Sequence, residues 1–175
     1  MKLPRQFYLQ PTLKVAQELL GKYLVFKGKS ARIIETEAYI GENDQACHAS
    51  KGRTKRTETM YLQGGHAYIY LIYGMYYCFN IVTEKAGFPA AVLIRALDLP
   101  NTDGPGKLCR EFGLSKRQNG LDLTASELYI EDRPARRSFS EGGGDIAKKI
   151  LKTPRVGVAY AGADAKKLWR FVLSD

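Results

Sequence analysis

The pattern of apolar and polar residues along this chain is mainly that of short β-strands. Apolar residues stand in short runs or alternate with polar ones, and turn-forming residues separate the runs. Short connections between the runs favour antiparallel pairing, including a hairpin that turns at Tyr73 and Gly74. The pattern predicts strands over residues 24–26, 31–40, 66–72, 76–82, 90–97, 127–130, 156–160 and 168–173.

Two segments have the pattern of a helix instead. In residues 11–21 a proline stands near the first turn, apolar residues recur at helical spacing and a glycine marks the end. A Gly-Pro-Gly sequence then opens a shorter helix over residues 107–112. The predicted fold class is therefore α+β, with a curved, mostly antiparallel sheet flanked by short helices and a protruding β-hairpin.

Nothing in the sequence divides the chain into separate parts. It contains no internal repeat and no long linker, although Gly142-Gly143-Gly144 and its flanks are typical of a flexible segment. A length of 175 residues is enough for one well-buried domain and short for two. We therefore expect residues 1–175 to form a single domain.

The charge of the chain points to an anionic partner. Lys and Arg number 27 against 18 Asp and Glu, a net charge of +9 that fits nucleic acid or a membrane surface. A soluble basic protein without a polyanionic partner stays an alternative at this point. The apolar runs are too short to span a membrane, and the first residues lack the apolar region of a signal peptide. We expect a cytoplasmic protein, associated with the nucleoid if the source is bacterial.

The cysteines argue against disulfide and metal chemistry. Cys47, Cys78 and Cys109 are odd in number, widely separated and without a Cys-x-x-Cys pair. Only His48 and His66 could add imidazole ligands. We expect three buried thiols in a reducing compartment, no metal site and no cofactor.

Two segments carry side chains that an ordinary core does not need. Alternation along the strand 31–40 places Glu35, Glu37 and Tyr39 on one face, where two acids are costly to bury without partners. Residues 68–77 then hold five of the eleven tyrosines around a central glycine. An aromatic hairpin near an acidic strand, in a basic chain, suggests a protein that handles nucleic acid bases.

Six short strings in the chain occur together, in this order, in a known family. They are Glu35-Thr-Glu-Ala-Tyr39, Ala-Cys-His48 with Gly-Arg53, Tyr70-Leu-Ile-Tyr-Gly-Met75, Cys78-Phe-Asn80, Leu93-Ile-Arg-Ala-Leu97 and Gly104-Pro-Gly-Lys-Leu-Cys109. With this order and spacing the chain resembles the alkyladenine (3-methylpurine) DNA glycosylases, over roughly residues 10–175. One such string would be weak evidence, whereas six in order are hard to attribute to chance.

The resemblance implies an enzyme of base excision repair, a DNA-3-methyladenine glycosylase. Such an enzyme hydrolyses the N-glycosidic bond of alkylated or deaminated purines in double-stranded DNA and leaves an abasic site. Its substrates include 3-methyladenine, 7-methylguanine, hypoxanthine and etheno-adenine. The resemblance further implies a monofunctional monomer without a cofactor, a lysine Schiff base or strand cleavage.

A base inside a duplex must be flipped out before such chemistry, and aromatic side chains then stack against it. Tyr39, His48 and Tyr70 match the aromatic residues that sandwich the flipped base in this family. Stacking suits electron-poor or cationic purines, because cation–π attraction adds to the burial of area. Asn80 matches the residue on the pocket floor, where a fixed amide excludes the exocyclic amino group of normal guanine.

Hydrolysis at C1′ needs a water that a general base holds and partly deprotonates. Glu37 is the candidate base, and Arg95 matches the family's arginine beside the water and the acid. Its charge is expected to keep Glu37 ionised, although a buried salt bridge is the alternative meaning of this pair. Glu35 is more plausible as the structural partner of a basic side chain, and is the next candidate for the base.

Other residues are expected to contact the duplex. Tyr73 at the hairpin tip matches the wedge that fills the space left by the flipped nucleotide, with Met75 as a second prop. Arg53 and Arg56, in the cationic segment 51–56, are the first candidates for phosphate contacts, which position DNA without reading its sequence. Later basic residues that add to this charge are Arg133, Arg136, Arg137, Lys148, Lys149, Lys152 and Arg155.

Two other classes of function fit part of the pattern. A non-catalytic nucleic-acid-binding module would explain the charge and the aromatics, but would not need Glu37 and Arg95 on separate strands. A hydrolase of free nucleosides would need the acid and the stacking, but not a net charge of +9. Dependence of base release on a duplex separates the three classes.

Overall fold

The computed structural model describes residues 1–133 and 149–174. Short 3₁₀ turns connect several of its helices and strands, at His48–Lys51, Glu58–Tyr61, Lys116–Gln118 and Ala159–Lys166. The elements are α1 (Arg5–Tyr8), α2 (Thr12–Glu18), β1 (Tyr23–Phe26), β2 (Lys29–Ile40), β3 (Ala67–Ile72), β4 (Tyr76–Val82), β5 (Ala90–Leu97), α3 (Pro105–Phe112), β6 (Tyr129–Glu131), β7 (Lys149–Thr153) and β8 (Arg170–Ser174).

The long strand β2 organises the sheet, because it has neighbours along both of its edges. One edge pairs with β5, while the other edge pairs first with β1 and then, over Glu35–Glu37, with β8. The strand order is β3-β4-β5-β2-β1-β6, with β7 added outside β8, and each of these pairings is antiparallel. The register between β2 and β5 shifts on both sides of Glu35. The prediction of an α+β fold with a curved antiparallel sheet and a protruding hairpin is confirmed.

Side chains divide between the two faces of the sheet, and the division positions the site. In β3, Ala67 and Ile69 belong to the main core with α2 and α3, whereas Tyr68 and Tyr70 belong to a second, smaller cluster. The alternation follows from the period of two in a strand. The smaller cluster packs the opposite face against the segment before β3, which contributes Met60 among others. Aromatic residues therefore collect outside the main core, under this segment.

One predicted strand is wrong. Residues 156–160 alternate apolar and small residues as a strand does, but Gly157 adopts a φ of 74° and Val158 a φ of −114° with a ψ of 23°. The strand that pairs with β8 lies earlier, at Lys149–Thr153, before Pro154. Because a φ above zero is incompatible with an extended strand, the chain from 156 onward forms a loop that returns toward β2.

The other predictions differ from the structure mainly at element ends. The helix predicted over 11–21 is α2, which covers Thr12–Glu18 and passes into a turn before Gly21, whereas the short α1 was not predicted. The strand predicted over 127–130 lies at Tyr129–Glu131, where β1 sets its register. The glycine-rich segment 142–144 lies outside the described residues. Among the residues that are described, no helix has the length and apolar character that crossing a membrane requires.

Three backbone segments approach each other closely at Gly64 and leave no room for a side chain there. Its N–H donates to the carbonyl of Glu84, and a Cβ at this position would lie 2.5 Å from the carbonyl oxygen of Tyr8 and 3.0 Å from that of Glu84. We expect Gly64→Ala to lower the free energy of unfolding by about 1–3 kcal/mol, as overpacking does. Urea unfolding measures the change. Gly104→Ala is the control, since its nearest neighbour would be the Cδ of Lys107 at 4.0 Å; equal effects of both substitutions would contradict the prediction.

Candidate functional site

A cavity of about 130 Å³ opens where β2, β3, β4 and β5 meet the segment before β3 and the loop after β7. Glu37, buried behind its wall, bonds to two groups that line it, Tyr39 and Val156. Ten residues were the first candidates for catalysis, base binding or DNA contact. The structure brings together seven of them, Glu37 and six that line the cavity. The six that line the cavity are Tyr39, His48, Tyr70, Tyr73, Asn80 and Arg95.

Glu37 is fully buried and both of its carboxylate oxygens are hydrogen-bonded. The backbone N–H of Val156 donates to Oε1 over 2.7 Å, and the hydroxyl of Tyr39 donates to Oε2 over 2.7 Å. Nε of Arg95 lies 3.5 Å from Oε1. The two hydrogen-bond donors come from the loop after β7 and from β2 itself, and the ion pair comes from β5, so the carboxylate joins three parts of the chain.

The pKa of Glu37 is raised above the ordinary value of 4.5. Burial is the largest cause, because it disfavours the charged form. Arg95, the Val156 N–H and the Tyr39 hydroxyl act in the opposite direction but do not cancel it. Arg95 therefore favours the ionised form, as predicted, yet burial outweighs it and makes Glu37 a stronger base than an exposed carboxylate.

Arg95 is held chiefly by the other acid of β2. Its Nε donates to Oε1 of Glu35 over 2.8 Å, shorter than its 3.5 Å approach to Glu37. The same oxygen of Glu35 accepts from Nε of Arg170 over 2.5 Å. One guanidinium thus bridges both acids, which confirms that they share a face of the strand. It also confirms that Glu35 is the structural partner of basic side chains.

The aromatic residues of the cavity are packed against each other. The rings of His48 and Tyr70 meet edge to face, with centroids 4.3 Å apart and an interplanar angle of 77°. Nδ1 of His48 lies 3.0 Å from the hydroxyl of Tyr68, which also lines the cavity. Burial, with Arg56 and Lys51 nearby, lowers the pKa of His48 to about 4. The imidazole is therefore neutral at physiological pH.

Asn80 lies at the junction of β3, β4 and β5, and is 3% exposed. Its Nδ2 donates to the carbonyls of Tyr68 and Cys78, over 3.2 and 3.3 Å. Two backbone acceptors therefore hold the amide in one orientation. The side chain is a fixed part of the cavity wall and cannot turn away from an occupant without breaking these bonds.

The hairpin between β3 and β4 projects Tyr73 into solvent. Its side chain is 84% exposed, and the φ of Tyr73 is 52°, a left-handed conformation that is uncommon for any residue but glycine. Gly74 follows with a φ of 69°. Met75 is 66% exposed but lines a different cavity, together with Tyr76, on the α3 side of the hairpin. Tyr73 therefore reaches the candidate site, while Met75 points away from it.

The two candidate phosphate-binding arginines lie outside the cavity at different distances from its wall. Arg56 donates to the carbonyl of Leu71 over 3.3 Å, and its guanidinium is 5.6 Å from the ring centroid of Tyr70. Arg53 is more remote, with an ion pair of 3.3 Å to Glu58. Both side chains are exposed, as contacts with a phosphate backbone require.

Among the later basic residues, one prediction is wrong. Arg155 was counted as surface charge, but it is 5% exposed and paired with the buried Asp44. Arg133 pairs with Glu131, and Lys149 is exposed in β7. Arg136, Arg137 and Lys148 fall in 134–148, outside the described residues. Net charge therefore overstates the cationic surface in the part of the chain that the structure describes.

Three residues at the site were not found from the sequence. Val156 supplies an N–H to Glu37, but a backbone donor leaves no trace in residue type. Tyr160, 72% exposed at the cavity edge, was assigned to a strand that does not form. Asp44, the partner of the buried Arg155, was not singled out from the sequence. A search for acids able to neutralise an arginine would have raised Asp44 as one candidate among many.

In residues 1–133 and 149–174, no three His, Cys, Asp or Glu side chains are grouped so that they could hold a metal ion. All three cysteines are buried and unpaired, as predicted. Burial raises the pKa of the Cys47 thiol to about 12, so this group is a poor nucleophile. The groups that the structure brings together at the site are carboxylates, guanidinium groups and aromatic rings.

Comparison with known proteins identifies close relatives. The family model of methylpurine-DNA glycosylase matches residues 6–102 and 98–175. A protein of Methanocella arvoryzae is 52% identical, over 97% of this chain and 90% of its own length. Proteins of Bdellovibrio bacteriovorus and Legionella pneumophila are 47% and 46% identical, over 100% and 99% of this chain and 96% and 95% of their own lengths. Each of the three is named as a candidate 3-methyladenine DNA glycosylase.

The raised pKa of Glu37 makes a prediction about stability. The folded state binds the proton of the Glu37 carboxyl more tightly than the unfolded chain does. The stabilisation of the fold that comes from this proton is therefore complete below the ordinary pKa and is lost as pH rises through the raised pKa. Relative to Glu37→Gln, which cannot ionise, the wild type should therefore lose free energy of unfolding as pH rises across this window. Urea unfolding of both proteins over a pH series measures the difference. If the free energy of unfolding of the wild type minus that of Glu37→Gln stays constant or rises with pH, the prediction is contradicted.

Proposed function

The chain belongs to the methylpurine-DNA glycosylase family, and on this premise we propose that it excises alkylated or deaminated purines from double-stranded DNA. The proposed substrates are 3-methyladenine, 7-methylguanine, hypoxanthine and etheno-adenine. A water activated by Glu37 cleaves the N-glycosidic bond and leaves an abasic site. The protein acts as a monomer, without a cofactor and without cutting the strand.

One observation carries this proposal. A buried carboxylate with a raised pKa lies behind the wall of an aromatic cavity, and an exposed tyrosine stands on a hairpin at the edge of that cavity. Base hydrolysis in a duplex needs a general base, a stacking pocket and a group to replace the flipped nucleotide. Glu37, the ring cluster and Tyr73 supply one each.

The cavity suits a purine that is electron-poor or cationic. Tyr39, His48 and Tyr70 present aromatic surface, and a cationic ring gains cation–π attraction from tyrosine. Since His48 is neutral at physiological pH, it adds no positive charge that would repel such a base. The amide of Asn80 is fixed by two backbone carbonyls, so it selects by exclusion against a purine that carries an exocyclic amino group at that position.

The acid–base roles follow from the same contacts. Glu37 deprotonates water more effectively than an ordinary carboxylate because its pKa is raised, and it is active only above that pKa. Its negative charge also stabilises the oxocarbenium-like charge that develops at C1′. Arg95 stays beside Glu37 because Glu35 holds it from the other side. Arg53 and Arg56 bind phosphates and give affinity without sequence preference.

Duplex dependence tests the function as a whole. Release of hypoxanthine from a duplex in a single turnover is compared with release from free inosine, and retention of the same duplex is measured in parallel. We expect release from the duplex and no comparable cleavage of the nucleoside. Retention without release would identify a binding module, and equal cleavage of inosine would identify a nucleoside hydrolase. A panel of the four proposed lesions then ranks the substrates.

Glu37→Gln tests the general base. The amide keeps the shape of the side chain but cannot accept a proton, so we expect the single-turnover rate to fall by about 10² to 10⁴. Binding to duplex DNA that contains an abasic site should change little. The acid limb of the wild-type rate should lie above the ordinary carboxyl pKa. If Glu37→Gln keeps the wild-type rate, Glu35 becomes the candidate base.

Tyr73→Ala tests the wedge. Filling the hole left by a flipped nucleotide offsets an unstacking cost of a few kcal/mol, so extrusion should weaken by about tenfold or more. The fluorescence of etheno-adenine in a duplex reports extrusion directly. The loss should be largest for a lesion in a stable pair and smaller for one in a mismatch. Thermal melting should hardly change, because the side chain is 84% exposed; a large fall in melting temperature would show a core residue, and unchanged extrusion an ordinary edge residue.

A further inference from the structure

A buried ion pair lies next to the candidate site and has no role in the function proposed above. Nη1 and Nη2 of Arg155 donate to the two carboxylate oxygens of Asp44, over 2.6 and 2.8 Å. The side chains of Arg155 and Asp44 are 0% and 1% exposed. Two parallel bonds of this kind fix the relative orientation of both groups as well as their distance.

The pair joins two segments that approach the cavity from opposite ends of the chain. Asp44 also accepts from the backbone N–H groups of Ile40 and Ala46, so it shapes the turn that leads from β2 toward His48. Arg155 donates in addition to the carbonyl of Ala38, over 2.9 Å. The loop after β7 is thereby attached to the end of β2.

Both hydrogen-bond donors to Glu37, the Tyr39 hydroxyl and the Val156 N–H, lie next to this attachment. The guanidinium of Arg155 lies 4.9 Å from the ring centroid of Tyr39, whose hydroxyl donates to Glu37. The residue after Arg155 is Val156, whose N–H donates to the other oxygen of Glu37. A displacement of Arg155 would therefore move a ring that lines the cavity and an amide that holds the carboxylate.

Stability alone does not account for the pair. Burying two charges costs about as much as their attraction returns, and apolar side chains of similar volume often serve as well. Nε of Arg155 has no hydrogen-bond partner among the described residues, which adds to the cost of burial. What apolar packing cannot provide is the directional, two-point attachment.

We propose that the Arg155–Asp44 pair positions the catalytic apparatus, by holding the Tyr39 ring and the Val156 amide in register with Glu37. This inference rests on the proposed function and deepens it. Arg155 touches neither the base nor the water in this scheme, so it is a positioning residue. Its effect on the reaction passes through the two hydrogen bonds to the carboxylate.

Loss of the Val156 hydrogen bond should raise the pKa of Glu37 further, because that bond favours the ionised form. The Tyr39 hydrogen bond acts on the pKa of Glu37 in the same direction as the Val156 bond, and the charge of Arg155 also acts on Glu37. The other groups that face the carboxylate are Glu35 on its own strand, Arg95 on β5, Arg170 on β8, and Tyr70 and Cys78 on β3 and β4. When the charge at position 155 is kept, a shift in the titration of Glu37 therefore reports on the two hydrogen bonds that the ion pair positions.

Arg155→Lys is the main test, since a lysine keeps the charge but cannot form the paired bonds of a guanidinium. We expect the single-turnover release of hypoxanthine from a duplex to fall by about 10²-fold, the loss that a misplacement of about 1 Å can cause. The acid limb of the rate should move to higher pH. Affinity for a duplex with an abasic site should change little.

Asp44→Asn is the second variant, and should lower the release rate as well by removing one charge and one acceptor oxygen from the pair. Because it leaves the charge of Arg155 without its partner near Glu37, the titration of Glu37 is interpreted in Arg155→Lys, which keeps the charge. Carbon-13 NMR of the Glu37 carboxyl, in protein without DNA, gives its pKa independently of activity. All measurements are made at a temperature where thermal melting shows each variant to be folded. The control is Arg5→Lys, which weakens the ion pair with Asp122 at a place that does not line the cavity. Its release rate, acid limb and Glu37 titration should match the wild type.

Three outcomes decide the matter. Wild-type release and an unmoved Glu37 titration in both variants would overturn the proposal. A fall in rate of equal size at every pH, with no change in the titration, would show a structural role only and would also overturn it. If both variants release base more slowly and Glu37 titrates at higher pH in Arg155→Lys, the positioning holds. Should the wild type then release no base from any lesion, the proposed function fails while the positioning of Glu37 stands.

Discussion

The burial of the Glu37 carboxylate is the constraint on which the rest of this structure depends. A buried charge requires polar partners, and the chain supplies a hydroxyl donor from its own strand, a backbone N–H donor from a distant loop and an ion pair with a guanidinium from the neighbouring strand. These contacts do not restore the ordinary pKa. The carboxylate is thus stable enough to remain in place and basic enough to act on water in the proposed reaction.

The topology of the sheet explains how these donors reach one point. β2 pairs with β5 on one edge and with β8 on the other. Residues far apart in sequence therefore lie on both sides of Glu35 and Glu37. Arg95 and Arg170 approach Glu35 from the two sides. The register shift at Glu35 lies where β2 exchanges one neighbour for another. The irregularity and the site therefore coincide, as bulges beside functional residues often do.

The site separates binding from chemistry along the same sheet. Aromatic side chains of β2 and β3, with His48, line one cavity, while the acids and arginines lie behind or beside them. The neutral His48 adds no charge to this surface despite the basic segment nearby. Arg95 is a charged residue in the cavity wall, whereas Arg53 and Arg56 are exposed outside it. In the proposed function, attraction of the duplex and accommodation of the base therefore use different residues.

The sequence by itself determined the strands of the hairpin, the exposure of Tyr73 at its tip and the common face of Glu35 and Glu37. These features follow from local alternation and from turn chemistry, and the short strings that match the family lie within single elements. Only the tertiary structure decided that the loop at Val156 closes on Glu37, that Arg155 is buried against Asp44, and that burial outweighs Arg95 in setting the pKa of Glu37. Contacts between distant segments and the solvent exclusion that they produce depend on how the whole chain packs, and no local pattern of residue types records them.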